Sequence, residues 1–73
     1  MIHKYFKKEF EEFKVIVQVN PETYAGVELT IGQNGEIEKR KLQFDSKIYD
    51  DLAEDEFKAS SALEFNLYLN GIK

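Results

Sequence analysis

The dipeptide Asn34-Gly35, set within the run from Val27 to Phe44 (VELTIGQNGEIEKRKLQF), most limits how this chain can fold. Asn-Gly between two β-prone runs is the strongest short-range signal for a hairpin, because a two-residue loop of mirror-image turn type needs positive φ at both positions. Such a loop pairs Gln33 with Glu36, hence Val27 with Leu42, Ala25 with Phe44 and Glu28 with Lys41. Val27, Leu42 and Phe44 then share a face, and Glu28 meets an opposite charge. A three-residue loop would shift each partner by one and send Leu42 and Phe44 to the other face. The expectation is a two-residue turn and a sheet with one buried side.

Upstream, Phe13, Val15, Val17 and Val19 alternate with Lys14, Ile16 and Gln18, the period-2 pattern of a strand rich in β-branched residues. Asn20-Pro21-Glu22-Thr23 ends it with asparagine and proline where type I turns prefer them. A second strand spans about Thr23 to Gly32, and a third runs from Glu36 to Phe44. The expected buried face holds Phe13, Val15, Val17, Val19, Ala25, Val27, Leu29, Ile31, Leu42 and Phe44. The expected open face shows Lys14, Ile16, Gln18, Tyr24, Glu28, Thr30, Lys39, Lys41 and Gln43. One wet side is usual for an antiparallel sheet.

The flanks read as helix. Ile2, Phe6, Phe10 and Phe13 recur at helical spacing, and Lys7/Glu11 and Lys8/Glu12 stand one turn apart with opposite signs. After Phe44, Asp45 or Ser46 is placed to cap a helix with apolar positions Ile48, Tyr49, Leu52, Ala53 and Phe57. Like charges one turn apart at Asp50/Glu54 and Asp51/Asp55 set its acidic side outward. Residues 61–70 carry two patterns. Leu63, Phe65, Leu67 and Leu69 alternate as in a fourth strand. Ser61 to Glu64 has capping-box spacing, Gly71 stands where a helix would stop, and Ala62, Phe65, Tyr68, Leu69 and Ile72 would line one helical face. The helix is the preferred reading, and the strand stays open as the alternative.

Residues 1–73 are thus expected to form a single α+β domain: an N-terminal helix, a three-stranded antiparallel meander, and a C-terminal helix or helices packed on one sheet face. This α-β-β-β-α order resembles the double-stranded RNA-binding domain in element order and size. That family grips phosphates with a lysine-rich start to its final helix. Here Asp45, Asp50 and Asp51 occupy that region and would repel phosphate, so the resemblance brings over no function and no residues.

A domain of this size buries only about 60% of its unfolded surface, and six Phe and four Tyr supply bulk for the small core. No cysteine is present, which removes disulfides and thiolate metal sites and favours a reducing compartment. No stretch approaches the roughly 20 apolar residues of a membrane span, and no apolar run follows Lys4, Lys7 and Lys8 as in a signal peptide. A soluble, cytoplasmic protein is expected. The net charge of −4 resides in residues 45–58, with six acids and two lysines; acids and bases balance elsewhere.

No catalytic, cofactor or metal motif emerges. His3 is the single histidine, with no cysteine or carboxylate motif beside it. The acidic run from Asp45 has the length of a calcium loop, but Lys47, Tyr49 and Asp50 stand where it needs two oxygen ligands and a glycine. The expected function is non-enzymatic: an interaction module, self-associating or with a protein partner, suggested by Tyr5, Ile16, Tyr24, Tyr49 and Tyr68 in excess of what one small core hides. The alternative is weak single-stranded nucleic-acid or anion binding on the open sheet face. Its candidate residues are Lys14, Ile16, Tyr24, Lys39 and Lys41, basic groups interleaved with an aromatic.

Overall fold

The computed structural model describes residues 3–70. It contains β1 (Lys4–Glu9), β2 (Phe13–Val19), β3 (Ala25–Gly32), β4 (Ile37–Gln43), α1 (Ile48–Glu54), β5 (Lys58–Ala59) and α2 (Ala62–Asn70). One antiparallel sheet has the order β4-β3-β2-β1-β5. The class is α+β, but the three-stranded meander behind an N-terminal helix is overturned. The first segment is a strand, so the resemblance to the RNA-binding domain's order goes with it. Ile2, Gly71 and Ile72, on which parts of those expectations rested, lie outside the described residues.

The N-terminal helical spacing has another origin. β1 pairs with β2 from Lys4↔Val19 to Glu9↔Lys14. The turn Glu11-Glu12 brings Phe10 and Phe13 together, and their rings stack with centroids 4.4 Å apart. The Phe10 N–H donates to the Phe13 carbonyl at 2.8 Å. An aromatic pair three residues apart marks a tight turn here, and Phe6 points to one sheet face as any strand residue does. Lys7 does not pair with Glu11 within a helix turn; its ammonium lies 3.1 Å from Glu64, far along the chain.

The register of the central hairpin is also corrected. Gly32 pairs across the turn with Glu36, donating its N–H to that carbonyl at 2.8 Å. Gly35 N–H donates to Gly32 O at 3.0 Å, and Gly35 alone takes positive φ (82°) in this turn. This is a three-residue loop, a type I turn followed by a left-handed glycine. Ala25 therefore meets Gln43, Val27 meets Lys41 and Glu28 meets Arg40. The reason lies in the layers. Parity favoured a two-residue loop only if the sheet had one buried face, and it has two.

β2 shows both faces. Val15, Val17 and Val19 pack with Ile48 and Leu52 of α1, with Phe6, Tyr24, Phe44, Tyr49 and Phe57 around them. Ile16, between those valines, packs on the opposite side with Leu29 and Phe65 of α2. Ile16 and Leu29 are fully buried, so a strand read as half-wet is covered on both sides. Leu42 and Phe44 go to the α1 side while Val27 and Leu29 go to the α2 side. The helices thus lie on opposite faces, not on one. The chain passes between faces around the β1 edge, where β5 pairs Ala59 with Phe6 and Ser60 N–H donates to Tyr5 O at 2.9 Å.

α1 is shorter than its apolar pattern suggested. Its N-cap position is Lys47, without a side-chain cap; Asp45 instead accepts the Lys47 N–H at 2.9 Å in a turn before the helix. The C-terminus closes with Glu56 N–H to Ala53 O (3.1 Å) and Phe57 N–H to Leu52 O (2.9 Å), a Schellman motif in which Glu56 takes φ 64°. α2 is a helix, and the strand alternative for 61–70 falls. Ser61 Oγ accepts the Glu64 N–H at 3.1 Å, one half of the capping box.

Candidate interaction surface

The site builds from one carboxylate. Glu64, in the first turn of α2, reaches back across the sheet to β1 and β2. Its Oε2 lies 2.7 Å from Lys14 Nζ, and its Oε1 lies 3.1 Å from Lys7 Nζ and accepts from Ser60 Oγ at 2.6 Å. Lys14 also donates to Tyr68 Oη at 3.4 Å and sits over that ring, 5.1 Å from its centre. Hydrogen bonding from Lys14, then from Ser60, holds the Glu64 carboxyl at about 2, well below the usual carboxylate range, against the opposing effect of its partial burial. Partial burial alone would lower the Lys14 pKa; hydrogen bonds with Glu64 and Tyr68 raise it instead. Charge-assisted bonds of this kind are among the strong ones.

The clamp sets the rotation of α2, and helix geometry does the rest. Phe65 lies two residues from both Leu63 and Leu67, roughly 200° around a helix of 3.6 residues per turn. Phe65 is 1% exposed against Ile16 and Leu29, so Leu63 and Leu67 must face out, and they are 72% and 66% exposed. Asn66 and Asn70 are exposed with them. In a chain that is 33% charged, this outer stripe carries no charge. Phe10 and Phe13 form a second, lesser apolar exposure at the β1–β2 turn, each 40% exposed, with Lys8 Nζ 5.0 Å above the Phe10 ring.

The five residues expected to form a binding face are dispersed. Lys14, Ile16, Lys39 and Lys41 do share the α2 side of the sheet. Ile16 is fully buried beneath Phe65, and Lys14 is engaged by Glu64. Tyr24 lies in the β2–β3 loop with φ 61° and packs on the α1 side against Tyr49, ring centres 6.2 Å apart. Lys39 and Lys41 remain exposed on β4. Leu63 and Leu67 were missed, yet a signal existed. The helical face of Ala62, Phe65, Tyr68 and Leu69 leaves both leucines outside it.

Among the described residues, no three His, Asp or Glu side chains converge to hold a metal ion. Among the same residues, no helix is long and apolar enough to cross a membrane. Comparison with protein-family models, with curated proteins and with solved structures finds no match to this chain.

Proposed function

We propose that this chain is a non-enzymatic interaction module that self-associates through the outer face of α2. The observation that carries the reading is the exposure of Leu63 and Leu67, one turn apart on an uncharged helical stripe. Two copies related by a two-fold axis, their α2 helices antiparallel, set each Leu63 near the partner's Leu67, a self-complementary contact. The acidic residues of α1 support the same choice, because they lie on the other sheet face and stay far apart in such a pair. A nine-residue helix is about 13 Å long at 1.5 Å per residue. Its face falls short of the ~800 Å² per partner of a standard interface, so the association is weak and reversible. The cysteine-free composition supports a cytoplasmic setting for it.

Sedimentation velocity from low micromolar to millimolar concentration tests this. Wild-type protein should shift from monomer to dimer, and Leu63→Gln with Leu67→Gln should stay monomeric with unchanged circular dichroism. A wild-type monomer throughout, or a dimer indifferent to both substitutions, overturns the reading. The nucleic-acid or anion alternative has less support: of its five residues only Lys39 and Lys41 stay exposed, with neither the buried Ile16 nor the distant Tyr24 beside them.

A further inference from the structure

β4 is the outer strand on one side of the sheet, while β5 covers part of β1 on the other. Its ladder with β3 is bracketed by two hydrogen bonds, Gly32 N–H to Glu36 O and Phe44 N–H to Tyr24 O, both 2.8 Å. Antiparallel hydrogen bonding alternates along a strand, so Glu38, Arg40 and Leu42 turn their backbone groups toward β3. Ile37, Lys39, Lys41 and Gln43 turn theirs toward the open edge. Lys39 and Lys41 are exposed, and between them Arg40 extends on the opposite face, its Nη1 3.7 Å from Glu28 of the neighbouring strand.

A second copy of β4 is a poor occupant of this edge. A two-fold antiparallel pairing centres on one residue opposite itself. Centred anywhere from Glu38 to Lys41, it sets a charged side chain against its own copy, which destabilises the pair. A strand bearing carboxylates at alternate positions fits instead. Its acids would stand directly across from Lys39 and Lys41 on the α2 side, as Glu28 already stands across from Arg40 on the α1 side.

We infer that the β4 edge accepts an extended acidic peptide as a sixth strand, with two carboxylates spaced i and i+2 opposite Lys39 and Lys41. Main-chain bonds to Ile37, Lys39, Lys41 and Gln43 supply affinity, and the two lysines supply selectivity for charge. This edge is separate from the outer face of α2, so the two readings stand or fall apart.

Titration of isotope-labelled protein with a peptide of alternating Glu and Val, followed by amide NMR, tests the inference. The Ile37, Lys39, Lys41 and Gln43 amides should shift and exchange at least tenfold more slowly with solvent. Lys39→Glu with Lys41→Glu should weaken binding at least tenfold, and so should N-methylation of the peptide at alternate residues, which leaves its charge intact. Binding indifferent to N-methylation would overturn the inference in favour of plain charge attraction. An oligothymidylate of equal length that perturbs the same amides as strongly would overturn it in favour of nucleic-acid binding. Absence of any shift overturns it outright.

Discussion

Gly26 shows how much one absent side chain can decide. The ring of Phe44 lies against the α1 side of its backbone, and a Cβ there would collide with Phe44 Cε2 and come within 2.7 Å of Gln18 O. The ring can move only by giving up its packing against the core on the α1 side, and the carbonyl belongs to β2 within the sheet. Gly26→Ala should therefore cost about 2–3 kcal/mol, the upper part of the range for overpacking, read as a lower urea midpoint. Glu56 offers the reverse case. It occupies the left-handed position after α1 with φ 64°, where a Cβ is strained and glycine is not. Glu56→Gly should stabilise the fold by about 0.5–1 kcal/mol, seen as a higher melting temperature. Neither effect was legible in the chain, because Gly26 gave no turn signal and a glutamate at that place reads as one more acid on a solvated helix.

At the scale of elements, α2 depends on Glu64 more than on its own helical tendency. A nine-residue helix is marginal in isolation and needs tertiary contacts. Glu64→Gln removes the carboxylate that Lys7 and Lys14 share, leaving Lys14 its longer 3.7 Å pair with Glu9, and should cost on the order of 2 kcal/mol. The pH dependence follows from the direction of the shift. The folded carboxyl titrates at about 2, below its ordinary 4.5, so its stabilisation is complete above about pH 4.5 and is lost as pH falls toward 2. The stability difference between wild type and Glu64→Gln in urea should thus shrink across that window. A difference that persists at the acid end would show that the clamp is not ionic. The Ser61 cap was visible from spacing, but the ion pairs were not, since they join residues some fifty positions apart.

For the whole molecule, the two covered faces govern what surface is left for partners. The sheet buries Val15, Val17 and Val19 under α1 and Ile16 with Leu29 under α2, so most of its area is unavailable. What remains includes the outside of α2, the β4 edge and the Phe10–Phe13 turn. Acids gather on α1, while Lys39 and Lys41 of β4 stand exposed on the α2 side. A dimer through α2 would leave both β4 edges accessible. The Leu63→Gln and Leu67→Gln variant should therefore remain able to bind the acidic peptide in the same NMR titration, even as sedimentation reports a monomer.

The sequence by itself determined the β2 strand, the Asn20 turn, the existence of a hairpin near Asn34-Gly35, the outward acids of α1 and the capped start of α2. Each follows from neighbours within a few residues, where turn chemistry and side-chain period act directly. Only the tertiary structure decided the hairpin's register and its loop of three. That choice rested on whether Leu42 and Val27 bury on the same side or on opposite sides, which depends on a helix arriving from each end of the chain's last third. The Asn34-Gly35 turn therefore marks where the chain reverses. The two helices determine which way its side chains point.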